Sequence, residues 1–168
     1  MVVSDNPKAY ALKRALSASI PTMFMDPRRF TSREAFDRSL SRIVEAAGAR
    51  LIVLAGFMRI LSPWFIRRYP RRILNIHPAL LPAFSGTQGI QDALHYGVKV
   101  TGVTVHFVDE KVDHGPIILQ VPMPVRHGDT EESLTSRIHR LEHRVYPKAI
   151  QWVLEGRVKV EGRKVQIK

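Results

Sequence analysis

The 168-residue sequence contains no cysteine. That absence excludes a disulfide framework, a thiolate nucleophile and any cysteine-ligated metal site, and it suits a reducing cytoplasm. Long apolar runs are missing too. None approaches the roughly 18 residues needed to span a bilayer, and the opening MVVSDNPKAY lacks the charged-then-apolar layout of a secretion signal. A cytoplasmic protein with no membrane attachment is expected. Acidic residues are scarce, 15 against 26 lysines plus arginines, for a formal charge of +11. Such an excess favours an anionic partner, whether phosphate, polycarboxylate or nucleic acid, without choosing among them. The basic clusters are modest, IRRYPRR at 66–72 and the tail GRVKVEGRKVQIK. No aromatic residue interleaves with the tail to stack on bases, so it reads as a solvated face and nucleic acid is not the expected partner. Internal repeats, low-complexity segments and long linkers are absent. With 45% apolar residues the chain has enough for one buried core, and a single domain over 1–168 is expected.

What is present alternates between two kinds of element. Met1 to Ser4 reads as the end of a short strand, and NPKAYALKRALSAS as a helix ending before Ile20-Pro21. Thr31 with Glu34 predicts a capping box ahead of Phe36, Leu40, Ile43, Val44 and Ala47, which share a helical face; Gly48 closes it. RLIVLAG and RRILNIH are continuous apolar runs of strand length, the pattern of strands covered on both faces. Between them Ser62-Pro63 starts a short helix, the crossover that parallel strands require. A helical GIQDALHYG precedes the strands TGVTVHFV and PIILQVPMPV, joined by DEKVDHG. Asp129 with Glu132 is expected to cap a last long helix carrying Leu134, Ile138, Leu141, Val145 and Trp152 on its core side. Pro147 should kink that helix, Gly156 should close it, and RVKVEGRKVQI should form a hairpin turning at Glu161-Gly162. The order implies an open, mostly parallel α/β sheet whose ligands bind beyond the carboxyl ends of its strands.

The stretch ILNIHPALLP is where chemistry enters. Asn75 and His77 lie two apart on an extended segment, so they project to one side at a strand end before Pro78 stops the pairing. An amide donor can hold a developing oxyanion while an imidazole moves a proton, as acyl transfer through a tetrahedral intermediate requires. On this pair alone a satisfied structural histidine fits equally. A histidine acting as acid needs an orienting carboxylate, and Asp113 in VDHGP is expected on the same edge, with Gly115 allowing close backbone approach. An aspartate before glycine is also a common turn residue.

Three blocks in order, IVLAGFMRILSP, NIHPALLP and GVTVHFVDEKVDHGPIILQ, resemble the glycinamide ribonucleotide (phosphoribosylglycinamide) formyltransferase family of purine synthesis, from the first residues to about Gly156. The resemblance implies a Rossmann-like α/β sheet of the formyltransferase type, ending in a long helix and hairpin. It implies a formyl group passing from 10-formyltetrahydrofolate to the amine of glycinamide ribonucleotide, with no metal. Asn75, His77 and Asp113 match the family's catalytic trio, as holder of the formyl oxygen, proton donor and support of the charged ring. Met58, Arg59, Ile60 and Leu61 match the backbone segment that receives the pterin, and Val108, Asp109, Glu110, Lys111, Val112 and Asp113 the loop on its other side. Arg33 matches a basic folate contact, and Glu142 a carboxylate that contacts the ribonucleotide. Without the match, the pterin segments are ordinary core and turn. Self-association is left open.

Departures and competitors qualify the match. The family's strand followed by a glycine, serine and asparagine phosphate loop is not in these residues, so the 168-residue chain is expected to be poorly active, or a folate-binding remnant. Ser85 stands where the family usually has proline, and Gln88 near a histidine; glutamine can hydrogen-bond but not titrate. Formyltetrahydrofolate deformylase shares the trio but tends to carry NIHHSFLP and a regulatory domain. Methionyl-tRNA formyltransferase has an added tRNA-binding domain and an RG loop. His139-Arg-Leu-Glu142-His143 has the H-x-x-E-H spacing of inverted zinc peptidases, but Arg140 and Arg144 crowd it and only Glu155 or Glu161 downstream remains as a third ligand, which favours chance.

Overall fold

A computed structural model describes all 168 residues. They form two compact units, residues 1–49 and 50–168.

In the first unit, β1 (Val2–Ser4) and β2 (Thr22–Phe24) pair in parallel, Val2 opposite Thr22. Helix α1 (Tyr10–Ser17) is the crossover between them and buries Leu12 and Ala15. A 3-10 turn (Pro27–Arg29) is capped by Asp26, and α2 (Arg33–Ala46) follows. The expected capping box does not form at Thr31. Ser32 takes the cap, its hydroxyl accepting from the Ala35 amide, because it is the residue whose extended backbone (φ −154°, ψ 163°) opens the helix. Gly48, at φ +59°, ends α2 in the left-handed region where glycine carries no Cβ penalty.

The second unit is built on one sheet in the order β3-β4-β5-β6: β3 (Ile52–Leu54), β4 (Ile73–His77), β5 (Val100–Phe107) and β6 (Ile117–Pro124). Helix α3 (Pro63–Arg68), capped by Ser62 with Pro63 at its first position, crosses from β3 to its parallel partner β4. Helix α4 (Gly89–Tyr96) leads to β5, which runs antiparallel to both β4 and β6. The connection from β5 to β6 is too short for a crossover, which dictates that direction. β3 lies at the sheet edge and Val53 is 41% exposed, so this strand is not covered on both faces as its apolar run suggests.

Helix α5 (Glu131–Leu154) packs on the sheet. Its Val145, Tyr146 and Ala149 join Leu74, Val105, Phe107 and Ile118 in one core cluster, and Leu134 and Ile138 join Val103 in a second. Each fully buried aliphatic side chain contributes roughly 1.5–3 kcal/mol. The cap is a box between Thr130 and Ser133, one residue past the expected Asp129; Asp129 instead accepts from the Ser133 hydroxyl, the Arg126 amide and Arg137. The helix continues unbroken through Pro147 and stops at Gly156. The closing hairpin, β7 (Val158–Glu161) and β8 (Lys164–Ile167), turns at Gly162-Arg163 and packs Val158, Val160 and Val165 on the first cluster. No helix is long and apolar enough to cross a membrane.

Candidate active site

The pairing of β4 with β5 builds a polar face inside an apolar sheet. Asn75 stands opposite His106 and His77 opposite Thr104. Alternate residues of a strand share a face, as do directly opposed residues, so all four side chains emerge on one side. His77 and His106 are 3% and 2% exposed.

Asp113 reaches this face by a route the sequence does not suggest. Because β5 runs antiparallel, Phe107 lies opposite Leu74, and the Val108 amide donates to the Ile73 carbonyl at the start of β4. The loop must therefore double back to bring Asp113 to the other end. A Cβ on Gly115 would fall 1.8 Å from the Phe107 carbonyl oxygen, so only glycine permits that return. Asp113 itself sits at φ +50°. Its Oδ2 accepts from the Gly86 amide at 2.8 Å and lies 3.3 Å from His77 Nδ1. Its Oδ1 is 3.5 Å from Asn75 Nδ2 and 3.6 Å from His106 Nε2. Burial raises the carboxyl's pKa, but the contacts with His106 and the Gly86 amide and the charges of His77 and His106 outweigh it, holding Asp113 below the usual carboxylate range.

His77 is engaged at both nitrogens. Nε2 lies 2.7 Å from the Phe84 carbonyl oxygen and Nδ1 faces Asp113. A carbonyl and a carboxylate only accept, so only the imidazolium offers each a proton. Burial opposes that charge and dominates, pushing the ring below the ordinary histidine value against the favourable pull of Asp113 and Phe84, with His106 adding to the lowering. A ring in that balance is a stronger acid than free histidine.

His106 completes the cluster, and it was not among the residues singled out from the sequence. Its Nδ1 lies 2.8 Å from the Phe107 carbonyl oxygen and must donate there, which turns Nε2 toward Asn75 Nδ2 at 3.3 Å. The signal for it is the alternation V-T-V-H, which sets Thr104 and His106 on the face opposite Val103 and Val105. Thr104 acts one step back. Its hydroxyl donates to the Ala79 carbonyl at 2.6 Å and accepts from the Leu81 amide and Gln120 Nε2, pinning the turn after His77.

The remaining expected residues are spread around this centre. Met58, Arg59 and Ile60 lie exposed in the loop after β3 while Leu61 is buried; the register sets Leu54, the last residue of β3, opposite Asn75. Val108 and Asp109 are half-buried, Glu110, Lys111 and Val112 exposed, and Glu110 pairs with Arg67 at 3.1 Å. Glu142 is half-buried on α5, its carboxyl pushed up by burial against the pull of His139 and His143. One turn on, the Tyr146 hydroxyl reaches the Leu54 and Leu74 carbonyls at 2.7 and 3.0 Å, tying α5 to β3 and β4; its pKa is raised, chiefly by burial. Arg33 is the first residue of α2, in the other unit. Ser85 and Gln88 are exposed on the turn between β4 and α4. No group of three or more histidines and carboxylates is placed to hold a metal ion.

Residues 1–150 match the formyl transferase family. The chain belongs to that family. It is 47% identical over 160 residues to the chicken trifunctional purine biosynthetic protein adenosine-3, over 95% of this chain but only 16% of that protein. It is 44% identical over 159 residues to the phosphoribosylglycinamide formyltransferase of Escherichia coli strain K12, over 95% of this chain and 75% of that one. The crystal structure of glycinamide ribonucleotide transformylase 1 from Symbiobacterium toebii superimposes with a TM-score of 0.96 at 50% identity, covering 99% of this chain and 79% of that one. The α/β, Rossmann-like architecture is thus common to the two.

Proposed function

We propose that the chain acts as one cytoplasmic formyltransferase domain that moves the formyl group of 10-formyltetrahydrofolate to the amine of glycinamide ribonucleotide, without a metal. The observation that carries this reading is the meeting of Asn75, His77 and Asp113, three residues of a family trio drawn from two distant segments, within hydrogen-bonding or ion-pair range. The names of the relatives from Escherichia coli and Symbiobacterium toebii point to the ribonucleotide as formyl acceptor, and the folate donor is what the resemblance to the family implies. In this scheme the ribonucleotide amine attacks the formyl carbon, the carbonyl oxygen becomes an oxyanion, and the proton shed by the amine replaces the one His77 gives as the bond to the folate nitrogen breaks. Asn75 offers Nδ2–H to it, giving up its long 3.5 Å contact with Asp113 while the 3.3 Å contact with His106 keeps the amide oriented. His77 delivers a proton from Nε2 to the departing folate nitrogen after leaving the Phe84 carbonyl, and Asp113 stabilises the charged ring through Nδ1. No covalent enzyme intermediate forms. Met58, Ile60 and Val112 leave apolar side chains 71%, 57% and 55% exposed on the two segments assigned to the pterin, surface that a planar ring would cover. Arg33 and Glu142 are assigned to folate and ribonucleotide.

Formyl loss from 10-formyltetrahydrofolate, followed with and without glycinamide ribonucleotide, tests the reading. Loss that requires the ribonucleotide supports transfer. Equal loss in its absence makes the chain a deformylase, and folate binding with no loss in either case makes it a binding remnant.

A further inference from the structure

The loop that carries Asp113 has an outer side as well as an inner one. Two residues flanking that aspartate, Asp109 and His114, pair across the loop, Asp109 Oδ2 accepting from His114 Nδ1 at 2.8 Å. The other oxygen of Asp109 accepts from the Lys111 amide at 3.0 Å, so one carboxylate organises both limbs. On the far face of the His114 ring lies Arg163, the turn residue of the C-terminal hairpin. Its Nη1 is 3.2 Å from Nδ1 and 3.1 Å from Nε2. A point in the ring plane at those distances from both nitrogens would collide with the carbon between them, so the guanidinium nitrogen sits over the ring, the stacking that a planar cation favours. The hairpin is itself fixed, with Val158, Val160 and Val165 on the core cluster that contains Leu74 and Phe107.

We propose that Arg163 is a positioning residue for the reaction: stacked on His114, it clamps the 108–115 loop to the hairpin and so holds Asp113 against His77. The proposal rests on the reading of Asp113 as part of the catalytic trio. It gives the basic tail a task that its composition alone did not suggest. Asp113 stands at φ +50° directly beside His114, so rotation of the loop about that clamp would swing the carboxylate away from Nδ1. On the other limb, the exposed part of the loop is tied to the rest of the unit by Arg67 to Glu110, at 3.1 Å.

Arg163→Ala, His114→Ala and the double variant test it by amide hydrogen exchange and steady-state kinetics. Exchange at amides 110–115 should quicken by about two- to fivefold in each single variant, the range of an exposed cationic contact, with α5 unchanged. The double variant should be no faster than either single one. For formyl transfer, kcat should fall by a similar factor with the KM for glycinamide ribonucleotide unaltered, and Arg163→Lys should recover part of it by returning a cation to the ring. Unchanged exchange in Arg163→Ala, or effects of the two substitutions that simply multiply, overturns the clamp. If exchange responds as stated but the unaltered chain transfers no formyl group, the clamp stands as structure, its role in the reaction falls, and it is the functional reading that has failed.

Discussion

One loop contributes to two histidine–aspartate pairs, and they live in opposite surroundings. His77 and Asp113 have side chains 4% and 9% exposed, while those of His114 and Asp109, which come from the same loop, are 44% and 35% exposed. The outer contact is the shorter, 2.8 Å against 3.3 Å. Distance therefore does not rank them. Water screens the outer pair to a fraction of a kcal/mol, whereas the inner pair lies in a weakly screening interior where each proton is felt by its neighbours. The short pair suits holding a loop in place, and the long one suits chemistry.

The sharpest way to break the comparison is to remove one histidine at a time. His77→Gln should lower formyl transfer by about 10²–10⁴-fold, the usual worth of a positioned proton donor, measured as kcat with circular dichroism unchanged. His114→Ala should not approach that loss. Next in size is the loop's close approach. Gly115→Ala must displace the Phe107 carbonyl that its methyl would strike, and a urea midpoint shift equivalent to about 2–4 kcal/mol is expected.

Acid should separate the pairs more gently. His77 is held below its ordinary value of 6.5, so its contribution to stability is complete above that pH and is lost as pH falls through the folded value. Asp113 is held below 3.8, and its contribution is complete above that pH and lost in the same direction. Melting temperature should fall on acidification in two stages, and His77→Gln should abolish the first. The smallest effect belongs to Asp109→Asn, which should cost under about 1 kcal/mol and cost less still in high salt; a larger loss would mean the outer pair is not screened.

Much of the inner site was legible because strand periodicity is a short-range rule. Asn75 and His77 at i and i+2 needed only a strand and a proline after it. His106 was harder to see, since its place opposite Asn75 depends on the register between two strands joined through a helix, which local pattern does not supply. The same gap hid the doubled-back path to Asp113, which follows from the antiparallel run of β5 against β4. The helix caps slipped by one residue, from Thr31 to Ser32 and from Asp129 to Thr130, because neighbouring side chains of similar chemistry compete and backbone angles decide. The clamp by Arg163 lay out of reach altogether, as nothing in a basic hairpin says which ring it will meet.

The Phe84 carbonyl at 2.7 Å from His77 Nε2 also has a meaning for inhibitor design. Any acceptor aimed at that nitrogen enters a position already filled, so it gains only the difference between two similar hydrogen bonds, about 0–1 kcal/mol. A compound that leaves this bond intact and instead covers Met58 and Ile60 forfeits nothing to exchange. Affinity of such compounds should follow buried apolar area more closely than the number of polar groups directed at the histidine.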